Sequence, residues 1–107
     1  MEYSATRGIF FYLSGTSLSY SLTPALSAWT HLAVTRSSGT CRIFLNGTQV
    51  TSSTLSASVS STYPMSIGAT KTGLTPFNGY IDDLRITKGV ARYTANFTPP
   101  TSAFPNQ

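Results

Sequence analysis

A chain of 107 residues, 40% apolar and only 9% charged, is one domain (1–107) with a single core and far fewer charges than the roughly one quarter usual in globular proteins. Seven Lys and Arg against three acids give a net charge of +4, but the basic residues are scattered and no run of them alternates with aromatics, which argues against a nucleic-acid groove. One cysteine rules out an intramolecular disulfide, and no apolar run nears the ~18 residues of a membrane helix, so neither a stapled miniprotein nor membrane insertion is expected.

What remains is rich in Ser, Thr, β-branched and aromatic residues, which suit pleated sheets and turns. The start "MEYSATRG" carries an acid where a signal peptide would be basic, so a soluble chain without an export signal is expected. "GIFFYLSG" (8–15) is a short apolar run closed by turn residues. "SLSYSLT" (17–23) alternates strictly, with Leu18, Tyr20 and Leu22 on one face. Together they predict two strands and a tight turn. "WTHLAVTRS" from Trp29 predicts a third strand, and "CRIFLNGTQVTS" from Cys41 predicts a hairpin, because Asn46-Gly47 supplies the two positive φ angles of a type I′ turn.

The hydroxyl-rich stretch 51–63 reads as a solvated loop or an edge strand. "PMSIGAT" (64–70) reads as a short strand, and 78–87 as the last one, with Ile81, Leu84 and Ile86 as its apolar members. Ile81 and Leu84 are three apart, which predicts a bulge near Asp82 or Asp83. "VARY" (90–93) suits one helical turn before an extended Pro-rich tail.

"WTHLAVTRSSGTCRIFLNGTQV", "PMSIGA" and "FNGYIDDLRITKGVARYTANFTPP", in that order, resemble a laminin-G-like domain of the concanavalin A-like lectin/glucanase superfamily over 28–105. The ending "ITKGVARYTANFTPP" is similar to modules of phage tail and tail-fibre proteins. The resemblance implies an antiparallel jelly-roll β-sandwich in an all-β fold, with a role in adhesion or glycan contact. Such domains open with further strands, so this one is expected to be N-terminally shortened. About eight strands make a jelly roll and only six or seven segments are legible, so the sandwich is expected to be incomplete. An incomplete sandwich leaves an open edge, a template for pairing with a second copy, and a homo-oligomer is expected.

Paired acids at Asp82 and Asp83 raise the question of catalysis or metal. Neighbours in a strand point to opposite faces, so without a bulge they are no facing pair. Glu2 is the one other acid, too few for two-carboxylate glycoside hydrolysis. The chain is therefore read as a non-enzyme. Calcium needs six to eight oxygens. Asp82 and Asp83 are weak candidates for it, joined by Asn78, and no cofactor is expected. The alternative is structural: one Asp bonds backbone amides at a bend, and the other meets Arg85 or faces water.

His31 and Trp29, two apart on one strand face, read as packing in the scaffold motif of the resembled family. Cys41 reads as a buried small hydrophobe. Tyr12, Tyr20, Tyr63 and Phe77 are the aromatic candidates for a glycan surface. Loops carry function more often than strands, so Tyr63, Lys71, Thr72, Phe77 and Asn78 form the expected contact region, with a glycan or host-surface protein as ligand. Two other readings stand beside it: an assembly protein pairing through its open edge, and a small phage-encoded inhibitor of a host protein. The chain would reside in the virion or the host cytoplasm.

Overall fold

A computed structural model describes residues 2–4, 8–13, 16–21, 27–56, 62, 64–69, 72–74 and 76–103. They hold six strands: β1 (Glu2–Ser4), β2 (Gly8–Leu13), β3 (Thr16–Tyr20), β4 (Leu32–Ser37), β5 (Thr40–Leu45) and β6 (Thr48–Thr54). These form two antiparallel three-stranded sheets, β1-β2-β3 and β4-β5-β6, and the fold is all-β as expected. The first sheet includes the hairpin of 8–20, paired from Ile9↔Tyr20 to Leu13↔Thr16. β1, opposite β2 through Tyr3↔Ile9, is too short to show a period in the sequence.

The second sheet is built on two tight turns of the same kind. Ser37 pairs with Thr40 across Ser38-Gly39, and Leu45 pairs with Thr48 across Asn46-Gly47. Ser38 and Gly39 have φ of 49° and 76°, and Asn46 and Gly47 of 49° and 84°. Positive φ at both central residues gives a turn whose twist matches that of the strands it joins. The predicted Asn-Gly hairpin is therefore present. A bulge follows it, where Ile43↔Thr51 gives way to Phe44↔Gln49 and Val50 is the extra residue.

Alternation along the strands sets the two faces. Ile9 and Leu18 of the first sheet meet Cys41 and Ile43 of the second, and Leu55 just past β6, in one buried cluster flanked by Phe11, Leu32, Val34, Leu45 and Val50. Each fully buried Ile, Leu or Phe contributes about 1.5–3 kcal/mol through removal of apolar surface from water. Phe44 points the other way in β5, yet it too is fully buried. The tail covers it: Phe44 meets Tyr93 and Phe97 edge-on at centroid distances of 6.3 and 5.4 Å, and those two rings stack at 3.5 Å. The second sheet is thus covered on one face by the first sheet and on the other by the chain around 93–97.

Backbone bonds fix that cover. Phe97 N–H donates to the Gly47 carbonyl at 2.9 Å, Gln49 N–H to Asn96 Oδ1 at 2.9 Å, and the Thr35 hydroxyl to the Tyr93 carbonyl at 2.8 Å. At Gly47 the approach is so close that a Cβ would run into the Phe97 carbonyl oxygen.

Several expectations need correction. The strand expected from Trp29 begins at Leu32, because His31 is tied to the turn. His31 N–H donates to Asn46 Oδ1 at 2.9 Å, and Asn46 N–H donates to the His31 carbonyl at 2.8 Å. The described residues of 64–70 and 78–87 form no strand, and 90–93 form no helical turn. Apolar alternation there lacks a neighbouring strand among the described residues, and a strand without a ladder partner leaves its backbone groups unpaired. Within the hydroxyl-rich stretch, 51–54 complete β6, an edge strand of its sheet.

Candidate binding surface

The contact region expected at 63–78 is shaped by one backbone bond. Phe77 N–H donates to the Gly68 carbonyl at 2.6 Å and closes a loop between them. Gly68 has φ of 78°, which an L side chain adopts only under strain, and the Ile81 Cδ1 lies 3.1 Å from where its Cβ would be. Gly79 is bare for a similar reason: a Cβ there would sit 2.8 Å from the Phe77 ring. The ring therefore lies against the chain, half-buried, while Asn78 beside it is exposed. Thr72, inside the loop, is exposed too. Thr72, Phe77 and Asn78 are thus brought to one loop, and Tyr63 and Lys71 lie outside the described residues.

Tyr80 follows at 88% exposure. It falls within the strand expected over 78–87 and is not among the aromatic candidates read from the sequence. Trp29 was missed in the same way. Placed before β4 rather than in it, Trp29 is 71% exposed and does not share His31's environment. Two exposed aromatics need no burial partner, so the only signal available from sequence was their position beside Gly and Ser-Ala turn residues.

His31 behaves as packing. Its ring meets Phe97 at 5.5 Å and Tyr93 at 6.4 Å, both edge-on. Tyr20 lies half-buried on the core face of β3, and the Tyr12 side chain is outside what is described. Cys41 is fully buried. Burial pushes its thiol above the ordinary 9.0, and the Arg36 guanidinium opposes that rise.

Asp82 and Asp83 sit at a bend rather than a strand bulge. The Asp82 carboxylate accepts the Asp83 N–H at 2.7 Å, and Asp83 has φ of 55°, a conformation that Asp and Asn tolerate better than other side chains. One acid thus bonds a backbone amide at a bend, as the structural alternative required. Both are exposed. Among the described residues no group of three or more His, Cys, Asp or Glu side chains gathers as a metal site would, and no helix is long and apolar enough to cross a membrane.

The loop offers an aromatic ring, a hydroxyl, an amide and, at its end, an exposed phenol. Such a set suits a ligand with apolar faces and hydroxyl edges, since rings stack on the former while amides and hydroxyls bond the latter. Comparison with known families gives a match to the laminin-G model of the concanavalin A-like lectin/glucanases superfamily over residues 1–92. The match takes in β1, β2 and β3, which lie before the 28–105 span of the sequence resemblance. No curated protein and no solved structure matches the chain.

Proposed function

Because the chain belongs to the laminin-G-like family of the concanavalin A-like lectin/glucanases superfamily, we propose that it is a non-catalytic binding module of the phage-tail adhesion type, contacting glycan or protein through its loops. The observation that carries this reading is the loop closed by Phe77 and Gly68, which presents Thr72, Asn78 and Tyr80 to solvent. Loops held by a rigid scaffold are where binding residues concentrate. The exposed Tyr80 supports a stacking role for a sugar face.

The acids support a non-catalytic reading. Glu2, Asp82 and Asp83 are all that the chain has, and Asp82 is engaged by its neighbour's amide, whereas glycoside hydrolysis asks for two carboxyl groups flanking one bond.

A glycan-array screen of the folded chain tests the proposal, followed by calorimetric titration of the hits. Binding should weaken by about tenfold or more in Tyr80→Ala and Asn78→Ala, a loss of one stacking or hydrogen-bonding contact, with the thermal transition unmoved. Binding that persists unchanged in both variants would remove the loop from consideration, and release of reducing sugar from a polysaccharide panel would overturn the non-catalytic reading.

A further inference from the structure

Beyond the loop, residues 81–90 form a second exposed stretch with its own pattern. Ile81, Leu84, Ile86 and Val90 are 54%, 61%, 57% and 67% exposed. Single exposed aliphatics are ordinary, but four within ten residues, on a segment that enters neither sheet, form the kind of surface that soluble proteins usually cover.

The charges on this stretch are segregated by position. Asp82 and Asp83 come first, followed by Arg85, Lys88 and Arg92. The basic end is ordered within the segment, since Arg92 Nε donates to Thr87 Oγ1 at 2.9 Å. We propose that this segment is a self-complementary contact through which two copies of the chain form a two-fold dimer.

The charge order selects that occupant. In a two-fold contact the same patch meets itself, so residue i of one copy faces j of the other and j faces i. With the axis at Arg85, the segments cross antiparallel, so that Asp82 of one copy faces Lys88 of the other. The acidic start of each then lies against the basic end of its partner, and aliphatic side chains meet in between. A parallel contact would set bases against bases. A head-to-tail contact would need another acidic patch to receive the bases, and Glu2 is the one acid elsewhere in the chain. The homo-oligomer expected from sequence is therefore assigned to this segment and not to a sheet edge. Such a contact starts at Ile81, whose Cδ1 lies 3.1 Å from where a Gly68 Cβ would be, so it borders the loop, and its test reads mass and not ligand binding.

Sedimentation velocity of the full chain from low to high micromolar concentration tests this. A concentration-dependent monomer–dimer equilibrium is expected, lost in Leu84→Asp. Val90→Asp serves as a second such variant should the first fail to fold, with circular dichroism confirming the native state. Asp82→Lys and Lys88→Glu should each raise the dimer dissociation constant by about tenfold or more, because each sets like charges together. The double variant Asp82→Lys/Lys88→Glu should restore the dimer, since the swap keeps opposites facing. A monomer at every concentration, an assembly larger than a dimer, a dimer indifferent to Leu84→Asp and Val90→Asp, or a double variant no tighter than the singles would each overturn the proposal.

Discussion

Replacing Gly47 by Ala separates the strain of a turn from the loss of the tail it supports. Gly39 and Gly47 occupy the second position of equivalent two-residue turns, with φ of 76° and 84°. An alanine at either site meets the left-handed penalty of about 1–2 kcal/mol. At Gly39 that is the whole cost, because a Cβ there would make only ordinary contact, 3.7 Å from Ser56 Cα. At Gly47 the Cβ meets the Phe97 carbonyl oxygen, a backbone atom that yields only if the chain around 97 moves away. That movement breaks the Phe97 N–H bond to Gly47, about 1 kcal/mol. It also loosens the stack over Phe44, about 0.5–1.5 kcal/mol beyond area burial. The sum is about 2.5–4.5 kcal/mol for Gly47→Ala against about 1–2 for Gly39→Ala, in a domain whose total stability is on the order of 5–15 kcal/mol. Urea unfolding followed by intrinsic fluorescence should therefore show midpoints about 0.5–2.5 M apart, for slopes of about 1–3 kcal/mol/M. Equal midpoints for the two variants would refute the idea that the tail is pinned through Gly47.

Three further outcomes follow from the same geometry. Asp82→Ala should cost at most about 1 kcal/mol in urea unfolding, because the amide it bonds is exposed and water replaces the carboxylate; Asp83→Val should cost about 1–2 kcal/mol for its positive φ, and Asp83→Asn should be nearly neutral. Since burial raises the Cys41 thiol above 9.0, the unfolded chain releases that proton first, so stability should fall as pH rises above 9.0 towards the folded-state value and should not gain from this group below it. Comparing wild type with Cys41→Val over pH 8–10 isolates the effect, and parallel curves would refute it. Millimolar calcium should leave the melting temperature within about 1 °C, because binding to the native state alone would raise it.

The first half of the fold was legible because its determinants are local. Strict alternation in 17–23 assigned Leu18 to the core, and Asn46-Gly47 specified its own turn. Cys41 is buried where a small hydrophobe was expected, as free cysteine commonly is. The family was legible from the order of motifs, and the laminin-G match bears it out. The remainder depended on partners that one segment cannot name. "YIDDLRIT" has a strand's composition, but a strand exists only where a neighbour accepts its ladder, and here it stays an exposed bend with Asp83 at positive φ. Trp29 and His31 look alike by spacing. Only the tertiary bond between His31 and Asn46, with Tyr93 and Phe97 arriving from the far end of the chain, half-buried one and left the other in solvent. Periodicity therefore determined which residues share a face. Contacts between residues 15 to 58 positions apart, as from Asn46 to His31 and from Tyr93 to Thr35, decided which faces were covered, because burial is a property of two surfaces.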